Sequence, residues 1–124
     1  MSGPEHLPVL VEVGGRHAGR EHRLAFGEHT IGRDPDVSVR VDHPDVSRHH
    51  ARLQVSADMV TVVDLESKNG VWIAGQRVEG SRILDDGERL ELGEVALELR
   101  HPASRISRAL AAAGEATVTH RRAV

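Results

Sequence analysis

From Pro8 to Arg100 the apolar residues fall in short runs, mostly β-branched or alternating with polar residues, and each run is cut by turn residues. That is the signature of strands buried on one face rather than of helices with a 3.6-residue period. The first run is Val9 to Val13, stopped by Gly14-Gly15. Arg20 to Phe26 alternates less cleanly, and Gly27 is expected to end it before a strand over His29 to Gly32. Val37, Val39 and Val41 alternate with Ser38 and Arg40, which predicts a strand with the three valines on one buried face. His50 to Val55 and Val60 to Leu65 flank Ser56-Ala57-Asp58, a connection of hairpin size. Val71 to Ile73 leads into Ala74-Gly75-Gln76 and then Arg77-Val78, and Leu90 to Leu92 with Val95 to Leu99 flank Gly93-Glu94 as a last hairpin. The spacing predicts an all-β fold, a two-sheet antiparallel β-sandwich with its loops gathered at the ends.

The pattern divides the chain into an N-terminal tail, residues 1–7, a sandwich domain, residues 8–100, and a C-terminal linker or tail, residues 101–124. Beyond His101-Pro102 the strand pattern stops, and Ser104 to Ala113 is Ala-rich with Ile106 and Leu110 four apart. So small an apolar stripe does not hold a helix together in water. Thr117 and Thr119 in this tail are candidate phosphorylation sites that would compete for an anion site on the domain.

Composition narrows the function classes. A chain of 124 residues suits one core, and its net charge of −3 disfavours nucleic acid and anionic membrane as partners, so any anion site must be local. One Trp, one Phe and no Tyr leave almost no platform for stacking bases. The absence of cysteine excludes a disulfide framework and fits a reducing compartment, and Met1 to Leu7 lacks the pattern of a secretory signal. A cytoplasmic location is expected.

Three motifs fall between the predicted strands: Gly32-Arg33, Ser47-Arg48-His49-His50 and Ser67-Lys68-Asn69-Gly70. If the loops converge at one end of the sandwich, Arg33, Ser47, Arg48, Lys68 and Asn69 surround one point with two guanidiniums, an ammonium, a hydroxyl and an amide. Such a donor set suits a phosphate with its strong acceptor oxygens.

In this order and spacing the motifs resemble the forkhead-associated (FHA) domain, from about Val9 to Leu99. The matching stretches are His29-Thr30-Ile31-Gly32-Arg33, Asp45-Val46-Ser47-Arg48-His49-His50-Ala51 and Asp64-Leu65-Glu66-Ser67-Lys68-Asn69-Gly70-Val71, followed by Trp72-Ile73-Ala74-Gly75. The resemblance implies a β-sandwich that recognises phosphothreonine through its apical loops. It implies that Arg33 and Ser47 contact the phosphate, that Arg48 and Lys68 add contacts, and that Asn69 bonds the peptide main chain. His50 is implied to brace the loops from beneath, with Gly32 and Gly70 allowing tight loop geometry. Asp45 matches a position near the third residue after the phosphothreonine, where its charge would disfavour an acidic side chain; alternatively it caps the His43-Pro44 turn. The implied partners are a phosphothreonine-containing protein and the upstream Ser/Thr protein kinase that modifies it.

Other readings remain. An interaction domain of the same fold can act without phosphate. Ser47, His50 and Asp64 contain the elements of a hydrolase triad, but no G-x-S-x-G elbow or oxyanion loop surrounds Ser47, so no enzyme activity is expected. Asp64 is read instead as ordering the following loop through its backbone N–H groups. Nine histidines raise metal binding, yet adjacent His49 and His50 point to opposite faces, and no spaced carboxylate completes a set with His43. No metal or cofactor is expected. Trp72 is expected to pack in or near the core.

Overall fold

The structure, a computed structural model, describes residues 7–101, and the tail proper with Ile106, Leu110, Thr117 and Thr119 lies outside the described residues. Eleven strands are formed: β1 (Val9–Glu12), β2 (Glu21–Arg23), β3 (Gly27–Gly32), β4 (Val39–Arg40), β5 (Ala51–Val55), β6 (Val60–Asp64), β7 (Trp72–Ile73), β8 (Gln76–Arg77), β9 (Ser81–Leu84), β10 (Arg89–Leu92) and β11 (Val95–Arg100). They make a six-stranded sheet in the order β2-β1-β11-β10-β7-β8 and a five-stranded sheet in the order β4-β3-β5-β6-β9. Among the described residues no helix is long and apolar enough to cross a membrane.

The period-two pattern does what it predicts. Ala51, Leu53 and Val55 of β5 face inward while Arg52 and Gln54 face out, and Leu90 with Leu92 of β10 meets Leu97 with Val95 of β11 across the hairpin. The core is almost wholly aliphatic, because the two aromatic residues are both outside it: Phe26 is 54% and Trp72 37% exposed. The inward expectation for Trp72 is therefore corrected. Val71 and Ile73 on either side of it are fully buried, so alternation turns the indole outward.

Other expectations shift with it. Gly27 opens β3 rather than ending the segment before it, pairing with Val55. The valine strand is trimmed to β4, and Val37 is only half-buried. β4 pairs with β3 in parallel, Ile31 to Val39 and Gly32 to Arg40, an exception in otherwise antiparallel sheets. The connection between them, residues 33–38, is short for a parallel pair. β9 had no counterpart in the pattern: Ser81-Arg82-Ile83-Leu84 buries only Leu84 fully and owes its strand form to β6, along which Val60 to Val63 pair with it. His101, placed in the tail by the pattern, is buried, and its N–H donates to Asp86 Oδ1.

The β7–β8 hairpin turns through Ala74 and Gly75, both left-handed, with φ of 52° and 77°. Two-residue hairpins favour such a turn because its twist matches the strands, and Asn-Gly is its best dipeptide. We predict that Ala74→Asn raises stability by about 0.5–1 kcal/mol. Urea denaturation should show a higher midpoint at unchanged slope, and a lower midpoint would contradict the turn assignment.

Candidate functional site: the loop end of the sandwich

Three loops meet at one end of the sandwich, carried by residues 33–38 after β3, 41–50 after β4 and 65–71 after β6. His50 joins them. It is fully buried, its Nδ1 accepts the Ser47 N–H at 3.0 Å, and its Nε2–H donates to the Gly70 carbonyl at 2.8 Å. Its backbone N–H donates to Ile31 O of β3 and its carbonyl accepts the Leu65 N–H. His49, its neighbour in the same loop, is exposed.

Around this clamp the five expected ligand residues come together. The Arg33 N–H donates to the Ser47 carbonyl and the Arg33 Nε–H to the Val46 carbonyl, both at 3.0 Å. With Nε anchored, the exposed Nη fork has no partner among the described residues. Ser47 Oγ accepts the Lys68 N–H at 3.0 Å, which leaves its own O–H free to donate elsewhere. Asn69 Nδ2 donates to the Asp45 carbonyl at 2.7 Å, tying the third loop to the second. The Asp64 carboxylate accepts the Ser67 N–H, so Asp64 orders its loop as expected.

The glycines answer to geometry. A Cβ on Gly32 would overlap the carbonyl of Arg48, so the first two loops approach this closely only over a glycine. Gly70 has φ +80°, and a Cβ there would meet the Arg77 guanidinium at 3.0 Å and Trp72 Nε1 at 3.2 Å. The Trp72 indole donates to the Asn69 carbonyl.

Of the acidic residues in these loops, Asp34 and Asp45 are bonded to the donor residues or to the turn beside them. Asp34 is buried and accepts the Asp36 N–H at Oδ1 and the Arg48 Nη2–H at Oδ2. The Asp36 N–H foremost, then the Arg48 guanidinium and the nearby His49, hold the Asp34 carboxyl below its usual value near 3.8 against the opposing effect of burial. Asp45 turns its carboxylate to the β10–β11 turn, accepting the Glu94 N–H at 3.2 Å beside Gly93. Its own N–H donates to His43 Nδ1 at 3.0 Å. Asp45 therefore neither caps its own turn with its side chain nor swings freely.

His43, Asp45 and Glu94 bring one potential metal donor each within 4.8 Å of one another. Glu94, a carboxylate 49 residues from Asp45, was invisible to a search for spaced ligands. Hydrogen bonds tie the cluster together, since His43 Nδ1 accepts the Asp45 N–H and Asp45 Oδ2 accepts the Glu94 N–H. A cleft of about 320 Å³ lies beside it, lined by Gly14, His17, His43 and Glu94 among others, and shares none of the donor residues. The hydrolase arrangement is not assembled either. Both nitrogens of His50 go to backbone groups, and the Asp64 carboxylate that is oriented holds the Ser67 N–H, not His50.

A sandwich whose one end gathers a tethered arginine, a serine hydroxyl and an anchored amide carries the donor groups of a recognition module. A family model for the FHA domain matches residues 29–93, and the chain belongs to that family. It is 32% identical over 94 residues to the oxoglutarate dehydrogenase inhibitor of Corynebacterium jeikeium, covering 76% of this chain and 65% of that protein. Against the glycogen accumulation regulator GarA of Mycobacterium tuberculosis it is 33% identical over 101 residues, covering 78% of this chain and 62% of that protein. The chain thus spans less than two thirds of the length of these relatives. A structure solved in a study of phosphothreonine-dependent FHA domain interactions superimposes with a TM-score of 0.70 at 29% identity, covering 76% of this chain and 95% of that one. The family match begins at His29, whereas the fold also needs β1, which bridges β2 and β11.

The clamp yields a prediction. His50→Ala leaves the Ser47 N–H and the Gly70 carbonyl unpartnered around a cavity, and should cost about 2–4 kcal/mol of stability. Equilibrium urea unfolding measures it; a loss below about 0.5 kcal/mol would mean that the loops do not depend on the ring.

Proposed function

We propose that this domain binds a partner protein at a phosphothreonine, placed there by a Ser/Thr protein kinase, and that it works as a binding module in the cytoplasm rather than as a catalyst. The observation that carries this reading is the fixed pairing of Arg33 with Ser47. Two backbone-directed bonds from Arg33 tie it to the Val46–Ser47 segment, and the Ser47 hydroxyl, which accepts the Lys68 N–H, keeps its own O–H to donate.

In this reading the Arg33 fork, the Ser47 hydroxyl, Arg48 and Lys68 donate to the phosphate oxygens, and Asn69 bonds the peptide main chain beside them. Phosphate carries a charge of roughly −1.5 to −2 at neutral pH. Hydrogen bonds to charged groups contribute roughly 1.5–3 kcal/mol each, so two or three of them separate the phosphorylated from the unphosphorylated partner by orders of magnitude. The site is preassembled by bonds that do not involve ligand, which lowers the ordering cost of binding.

Titration calorimetry with a phosphothreonine peptide and its unphosphorylated twin is the direct test. The parent should bind only the phosphorylated form, and Arg33→Ala and Ser47→Ala should each lose at least roughly tenfold in affinity while remaining folded. Equal binding of both peptides would replace this reading with phosphate-independent interaction.

Selectivity beyond the phosphate is proposed to follow the negative charge of Asp45 and Glu94, which lie together at the rim. Peptides with Arg at the third position after the phosphothreonine should bind a few-fold better than those with Asp, more so at low salt, since exposed pairs contribute about 0.2–1 kcal/mol. Asp45→Asn keeps an acceptor for the Glu94 N–H and should shrink the difference. An unchanged ratio in that variant would remove Asp45 from selectivity.

A further inference from the structure

We infer that Asp34 is a positioning residue of the site: it holds Arg48 at the angle from which the guanidinium meets the phosphate. The inference rests on the phosphothreonine reading above. A buried carboxylate at the centre of an anion site opposes the ligand electrostatically, so its presence calls for a compensating role. Asp34 follows Arg33 directly and is only 8% exposed.

Both ends of Arg48 are attached to Asp34. The Asp34 N–H donates to the Arg48 carbonyl at 3.2 Å, and the Arg48 Nη2–H donates to Asp34 Oδ2 at 3.1 Å. The other carboxylate oxygen accepts the Asp36 N–H at 2.8 Å, which fixes the carboxylate plane within its own loop. The anchor is therefore rigid, while the side chain it holds is 71% exposed. An arginine so exposed samples many rotamers unless something restrains it.

The guanidinium has five N–H groups, and the bond to Asp34 uses one of them. The others stay available to an incoming oxyanion. Arg33 reaches the same end by a different route, with Nε on a neutral carbonyl. Lys68, exposed, has no side-chain restraint among the described residues. Of the three cations, Arg48 alone is paired with an opposite charge among the described residues, and its share of the binding depends on that charge.

Asp34→Asn keeps an Oδ1 acceptor for the Asp36 N–H and replaces the charged oxygen that accepts from Arg48 by an amide NH2 that cannot. In calorimetric titrations with one phosphothreonine peptide, it should weaken binding roughly three- to tenfold, with a melting temperature close to the parent's. Arg48→Ala should weaken binding at least as much. In the Arg48→Ala background, Asp34→Asn should cause no further loss, because the two residues act as one unit. In the unliganded protein, the Arg48 Nε–H resonance should broaden or move towards the free-arginine position in Asp34→Asn.

Undiminished binding by Asp34→Asn overturns the inference, and tighter binding overturns it by making Asp34 a competitor for Arg48. A loss that persists in the Arg48→Ala background also overturns it, since Asp34 would then act through the loop and not through the guanidinium. A parent that does not bind the phosphopeptide at all overturns the phosphothreonine reading and this inference with it, an outcome distinct from the other three.

Discussion

One imidazole joins the parts on which the rest of this structure depends. His50 is buried at the first turn past the loop end, and its two ring nitrogens satisfy one N–H and one carbonyl from loops that sequence separates by more than twenty residues. Only a neutral ring with its proton on Nε2 can accept on one side and donate on the other. Its backbone extends the same junction to β3 and to the start of the third loop. Loops usually lie on the surface because buried backbone groups need partners. Here one side chain supplies partners beneath the loops, which leaves their upper faces free for a ligand.

Above the clamp, the same economy recurs. Four of the five donor side chains are tied to a neighbouring loop, Arg33 to Val46, Ser47 to Lys68, Asn69 to Asp45 and Arg48 to Asp34, with Lys68 the exception among the described residues. The bonds that build the site therefore leave further hydrogen-bonding capacity on the same side chains: the Nη groups of Arg33, the O–H of Ser47 and the remaining N–H groups of Arg48. A phosphate arriving at such a site meets donors already placed, so the chain's net charge of −3 is no obstacle to local anion binding. Asp45 extends the network to the opposite sheet by accepting the Glu94 N–H, so the β10–β11 turn becomes part of the loop end.

How much of this was legible beforehand follows from the range of the interactions. Strand identity is local, because alternation with a period of two sorts residues into inward and outward sets without reference to partners. Val9, Leu53, Leu90 and their neighbours could thus be placed from the pattern, and Trp72 could have been, had its buried neighbours Val71 and Ile73 outweighed its size. The motif residues were legible as chemistry too, since fork, hydroxyl and amide at turn positions speak for an anion.

The remaining features were decided by contacts across the fold. β9 is a strand because β6 offers it an edge, and its own four residues carry too little apolar character to say so. The parallel pairing of β4 comes from a loop that doubles back over two residue pairs. The partner of Asp45 lies 49 residues away, and Asp34 reads as an ordinary turn residue until Arg48 is seen against it. Most of the strands, the sandwich and the donor set could be read from the chain alone, because those depend on residue type and short spacing. Only the tertiary structure decided which atoms of those donors are tied down and which face outward, because hydrogen bonds between distant loops exist only once the sheets have brought them together.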